Sequence, residues 1–102
     1  MDVKGGQHSQ TNLASSALVE EDVLVYIAVK GSLHANDCSV FGLGQEEKKA
    51  LNKKYPGSGV VVNGISIKTN VLEAINSLSR LGYKIVSSTG ETEITWTMQR
   101  EN

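Results

Sequence analysis

Residues 22–30, Asp-Val-Leu-Val-Tyr-Ile-Ala-Val-Lys, carry the most regular alternation in the chain. Val23, Val25, Ile27 and Val29 fall on one side, and Leu24, Tyr26 and Ala28 on the other. A run apolar on both sides predicts a strand inside a sheet, or one whose second face meets another subunit. Residues 60–67, Val-Val-Val-Asn-Gly-Ile-Ser-Ile, predict a hairpin, because Asn63-Gly64 suits the positive φ angles of a type I′ turn.

From residue 70 the period changes from that of a strand to that of a helix. Asn70 is placed to cap it, with Glu73 completing a capping-box-like pair. Val71, Leu72, Ala74, Ile75, Leu78 and Leu81 form the expected buried stripe, and Gly82 the left-handed stop. Two strands follow, 84–88 and 92–99, paired across a turn at Thr89-Gly90-Glu91. In the second, Ile94, Trp96 and Met98 share one face, and Glu93, Thr95, Thr97 and Gln99 the other.

Between these landmarks, residues 31–43 read as a loop, with Asn36-Asp37 as a turn signal. Gly44 introduces a short helix, QEEKKALNKKY, whose leading acids and trailing lysines complement its dipole. Its apolar face is thin: Ala50, Leu51 and Tyr55. Pro56-Gly57 stops it. The predicted order is β-α-β-β-α-β-β, an α+β fold with two helices on one face of a largely antiparallel sheet. Residues 1–21, rich in Gly, Ser, Gln and Asn without a period, predict a disordered tail before a single domain at 22–102.

Composition narrows the classes. At 102 residues the chain suits one domain, and 39% apolar residues allow only a modest core. Ten basic against eleven acidic residues leave a net charge of −1, too little field to expect a nucleic-acid or acidic-membrane partner. Cys38 is the single cysteine, so no internal disulfide forms and a reducing compartment is favoured. The polar start lacks a signal-peptide core, and no apolar run reaches membrane-spanning length. The expected location is the cytoplasm, with the nucleus as a second.

Candidate chemistry is sparse. Gly42-Leu43-Gly44 before a helix lacks the third glycine of a dinucleotide loop, and Glu46-Glu47 would repel a phosphate there. His34, Asp37 and Cys38 lie close in sequence but fall short of a four-ligand zinc set; they read as a polar loop with a half-buried thiol. Cys38 has neither a base nor an orienting group indicated for nucleophilic catalysis. Lys48, Lys49, Lys53 and Lys54 form the one basic cluster, a solvated helix face or a docking surface for an acidic protein. Trp96 suits a core or an interface equally in kind. Glu91 and Glu93 beside the turn are solvated hairpin charges, or carboxylates that together with free backbone N–H groups grip an amino acid. No enzyme, cofactor or metal is expected from this inventory.

The order of motifs resembles the GTP cyclohydrolase I feedback regulatory protein family. The likeness runs through LGQEEKKALNKKY at 43–55, a hairpin segment, and VLEAINSLSRLGYKIVSSTGETEITW at 71–96. It includes the Leu-Gly start before a basic helix, the Val-Leu-acid opening of the second helix, Gly82 to Ile85, the Ser-x-Thr-Gly run Ser87 to Gly90, and Trp96. Residues 23–29 match the family's first strand. The N-terminal tail is extra, the loop 31–42 is shorter, and the hairpin 56–69 and second helix are longer. The turn after Gly90 lacks a residue and carries Glu91 and Glu93 where the family has a small residue and an amide.

The resemblance implies a homopentameric, non-enzymatic regulator that stacks on the decameric cyclohydrolase. It would let tetrahydrobiopterin inhibit that enzyme and phenylalanine stimulate it, with phenylalanine held where the two proteins meet. Carried over to this chain, the ligand contacts are Lys30, Thr89, Gly90, Glu91 and Glu93, and Tyr26 and Trp96 suit subunit packing. A rival expectation is a ferredoxin-like small-ligand module that binds an amino acid in another pathway, because the first six elements share that order.

Overall fold

The computed structural model describes residues 24–101. The tail expected at 1–21 lies outside them. The elements are β1 (Leu24–Gly31), β2 (Cys38–Phe41), α1 (Gln45–Lys54), β3 (Gly59–Val61), β4 (Gly64–Ile67), α2 (Val71–Arg80), β5 (Lys84–Gly90) and β6 (Ile94–Glu101). The strands form one sheet in the order β3-β4-β2-β1-β6-β5, antiparallel at every join. This is the expected α+β class with one strand more. The additional strand is β2, Cys-Ser-Val-Phe, inside the segment read as loop. Four residues are too few to display a period, and their strand character comes from pairing with β1 on one side and β4 on the other. With β2 in place no helix directly follows β1, so the element order departs from the ferredoxin-like one.

β1 is interior, as its two apolar faces suggested. Ile27 and Val29 are buried toward the helices, while Leu24 and Tyr26 are exposed on the helix-free face. Val29, Val40 and Ile65 are successive cross-strand partners and so share the helix-covered face. With Ile67, Met98, Leu51, Val71 and Leu78 they make the core. Asn70 caps α2 by accepting a 2.9 Å bond from the Glu73 backbone N–H.

The buried stripe of α2 is narrower than the sequence suggests. Val71, Ala74, Ile75 and Leu78 are inside, but Leu72 is 60% exposed and Leu81 only half-buried. Ser77 takes an inner place because Tyr55 and Lys54 of the α1 end both reach its hydroxyl, at 2.6 and 3.0 Å. Ala50 is exposed, leaving Leu51 as the one buried residue of α1.

Both hairpin turns sit where the pairing puts them and not where turn dipeptides alone would. Val61 pairs with Gly64, so Val62-Asn63 make the first turn, and only Asn63 of the two turn residues has positive φ, 61°. Gly64 is needed for closeness. A Cβ there would strike the Val40 carbonyl oxygen and lie 2.7 Å from Phe41 Cδ1. In the second hairpin Gly90 pairs with Ile94, so the turn is 91–93 and Thr89 and Gly90 belong to β5. Gly90 has φ 114°, and a Cβ would collide with the Glu93 carbonyl.

Candidate functional site at the strand-end rim

The register gathers the sequence-derived ligand residues at one end of the sheet. Thr89 pairs with Thr95, and Thr95 pairs with Lys30, so these three side chains stand in one row on the helix-free face. Gly31 pairs with Ile94, whose other partner is Gly90. Glu93 then closes the row: its Oε1 is 3.6 Å from Lys30 Nζ, with the two side chains 62% and 51% exposed. Such an exposed pair contributes about 0–1 kcal/mol to folding, so its charges remain available to a ligand or partner.

Beside the row lies a half-open notch of about 210 Å³ between the β1–β2 loop and the β5–β6 turn. Glu91, Thr92 and Ile94 form one wall, and Ser32, Leu33 and His34 the other. The second wall was not foreseen. His34 was grouped with Asp37 and Cys38 and not with the turn, and it is the Gly31–Ile94 pairing that brings the 32–34 loop beside the turn. Ser32 Oγ accepts a 3.2 Å bond from the His34 backbone N–H, which shapes that wall. The notch therefore presents a carboxylate, hydroxyls, an imidazole and an apolar side chain, with the Lys30–Glu93 pair near its edge.

The other sequence candidates are dispersed. Cys38 is buried in the core, and burial, aided by the Asp37 charge, pushes its thiol up to about 11. A thiol so placed is not a thiolate near neutrality. His34 is exposed at the notch, so the two do not form a pair. Among the described residues no group of three or more His, Cys, Asp and Glu converges. Tyr26 and Trp96 lie on opposite faces of the sheet: Tyr26 is exposed on the helix-free side, whereas Trp96 pairs with Val29 and is half-buried against the core. One flat interface cannot use both.

The edge strand β5 is exposed along its whole length, and Ile85 and Val86 are 47% and 43% exposed. No described helix is long and apolar enough to cross a membrane. Compared with known proteins, the chain matches no family model, no curated protein and no solved structure.

Proposed function

We propose that the chain is a non-enzymatic regulatory protein that binds GTP cyclohydrolase I and mediates its feedback inhibition by tetrahydrobiopterin and its stimulation by phenylalanine. The ordered likeness at residues 43–96 motivates this reading. The observation that carries it is the incompleteness of the rim notch. Self-sufficient small-molecule pockets measure roughly 300–1,000 Å³ and enclose most of their ligand. A half-open notch of about 210 Å³, flanked by the exposed Lys30–Glu93 pair, suits a site that a second protein completes. Lys30 is the partner for a ligand carboxylate, and Glu91 and Glu93 for its ammonium.

In this reading the effectors act at the interface, and each favours one state of the complex over the other; that difference in affinity is the regulation. The protein works as a homopentamer in the cytoplasm, and in the nucleus wherever the enzyme is present. Size-exclusion chromatography with GTP cyclohydrolase I, with and without phenylalanine, tests it. Co-migration that strengthens with phenylalanine is expected; no co-migration in either condition, or a strict monomer at micromolar concentration, overturns it.

The same notch favours one second reading, an amino-acid-binding module of another pathway. The two separate by thermal shift of the isolated protein. A regulator whose site is completed by its partner gains little from phenylalanine alone, whereas a self-contained site raises the melting temperature as ligand exceeds its dissociation constant.

A further inference from the structure

The opposite edge of the sheet carries a second feature, unconnected with the rim. A groove of about 200 Å³ runs between α1 and β3, floored by Ile65 and Gly59 and walled by Lys48, Lys49 and Asn52. Val60 stands beside it, 87% exposed, and Val62 follows at 83%. Together they make an exposed apolar tip on one short hairpin, next to the groove.

The backbone is open there too. Pairs in an antiparallel hairpin alternate between hydrogen-bonded and non-hydrogen-bonded, starting from a bonded pair at a two-residue turn. Here that closing pair is Val61–Gly64, which makes Val60–Ile65 non-bonded. The N–H and C=O of Val60 therefore point outward from the edge of the sheet, away from β4. β3 is the terminal strand, so nothing in the sheet meets them.

Charge selects the occupant. Lys48 and Lys49 line the groove, Lys53 lies further along α1, and Lys68 packs its stem against Gly57 nearby. The one acid among them, Glu46, is 3.9 Å from Lys49, and Glu47 is committed to Arg100. From these observations we infer that the α1–β3 groove is a docking site for an extended acidic segment of another polypeptide. Such a segment adds as a strand to β3 through Val60, lays an apolar side chain against the exposed Val60, and faces its carboxylates to Lys48 and Lys49.

The chain's own acidic run, Glu20-Glu21-Asp22, does not reach. β1 lies three strand spacings from β3, and Leu24 lies five residues along β1 from Val29, which is level with the groove. Together these put the start of β1 roughly 22 Å from the groove. Glu20, the farthest of the three, is four residues from Leu24 and spans about 14 Å at most, short of that distance.

The test uses the full chain and a blocked, fluorescein-labelled peptide of alternating Glu and Val, with its Lys-for-Glu counterpart as control, read by fluorescence anisotropy. The acidic peptide is expected to bind and the basic one not. Lys48→Glu with Lys49→Glu should weaken binding roughly tenfold or more. Val60→Pro, which removes an outward N–H from an edge position where proline is tolerated, should abolish it with circular dichroism unchanged. Trp96 emission should stay constant, since that residue is on the β5 side of the sheet. Equal binding of the two peptides, no binding of either, insensitivity to the lysine reversal, or a Trp96 response overturns the proposal. So does a tenfold gain in affinity when Glu20, Glu21 and Asp22 are changed to Lys, because the chain's own tail would then be the occupant. No cyclohydrolase is present in this assay, so its outcome is separate from that of the regulatory reading.

Discussion

Arg100 Nη1 on the last strand lies 2.5 Å from Glu47 Oε2 in the first turn of α1, joining parts of the chain 53 residues apart. The same guanidinium donates to the Leu81 carbonyl at 3.0 Å and stacks over the Tyr83 ring at 4.3 Å, while Tyr83 donates to Glu47 Oε1 at 2.9 Å. The carboxylate is thus held by two donors and the arginine by two acceptors and a ring. This cluster fastens α1 to the far side of the sheet, beyond the reach of its single buried leucine.

Breaking the cluster from one side leaves a partly buried charge without its partner. Both side chains are mostly covered, 25% exposed for Arg100 and 18% for Glu47. Arg100→Met is therefore expected to cost about 2–4 kcal/mol, and the double change with Glu47→Gln less than the sum of the single ones. Urea denaturation followed by circular dichroism measures both.

Alkaline pH should loosen the fold in two overlapping steps. Burial first, then the bond to Glu47 and its charge, push the Tyr83 phenol up to about 12 against the opposing pull of Arg100. Burial and Asp37 push the Cys38 thiol from 9.0 to about 11. Both groups are held in the neutral form by the fold, so the unfolded chain ionises first. The stability they supply is intact below pH 9 and lost through about 11 for Cys38, and between 10 and about 12 for Tyr83. Denaturation midpoints across this range should fall in the wild type and fall less in Tyr83→Phe.

The contrast between Leu72 and Leu78 shows how far periodicity carries. Both lie in the apolar pattern of α2, yet Leu78 is fully buried and Leu72 is 60% exposed. Leu78→Ala should cost about 2–5 kcal/mol and Leu72→Ala less than ~0.5 kcal/mol. Ser77, polar by type and inside by position, should lose about 1 kcal/mol as Ala, and Tyr55→Phe about the same. Their double variant should be non-additive, since the two hydroxyls share one 2.6 Å bond. Chemical denaturation of the five variants ranks them.

What the sequence made legible follows from what each residue's role depends on. β1, the two helices and both hairpins depend on local period, capping and turn chemistry, and these were readable. β2 was not, because Cys38–Phe41 is a strand only through its neighbours on both sides. The turn positions slipped for the same reason. Asn63-Gly64 and Thr89-Gly90-Glu91 each overlap the real turn by one residue, Asn63 and Glu91, because cross-strand register decides which residues turn. At the rim, Lys30, Thr89 and Glu93 came from a resemblance, and the sheet brings them into one row. Ser32 and Leu33 had no signal, and His34 was singled out only beside Asp37 and Cys38, since a loop acquires a facing wall only when the strands beneath it pair.

Gly64 turns that lesson into a measurement. If its purpose were a positive φ, Ala would be strained and Asn would relieve the strain. Its purpose here is space, because any Cβ meets the Val40 carbonyl and the Phe41 ring. Gly64→Ala and Gly64→Asn should therefore both destabilise, by about 1–3 kcal/mol, with no rescue by Asn. Gly90 is the opposite case only in part: φ 114° disfavours any side chain, and contact with the Glu93 carbonyl adds to the cost. Thermal melts of the two Gly64 variants and of Gly90→Ala distinguish space from conformation.

The charge pair at the rim gives the sharpest separation between folding and function. Lys30 and Glu93 are more than half exposed at 3.6 Å, so Lys30→Glu should change stability by less than ~1 kcal/mol. If the row serves a zwitterionic ligand at an interface, the same change places a carboxylate where the ligand's own carboxylate belongs. Phenylalanine-dependent co-migration with GTP cyclohydrolase I should then weaken roughly tenfold or more, equivalent to about 1.4 kcal/mol of binding. Glu93→Lys alone should disturb the ammonium side. The exchanged pair, Lys30→Glu with Glu93→Lys, restores the mutual attraction but reverses its direction toward the ligand. Recovery of binding in that double variant would mean that the pair acts only by holding the turn, whereas continued loss with an unchanged melting temperature would mean that each charge meets the ligand or the partner itself.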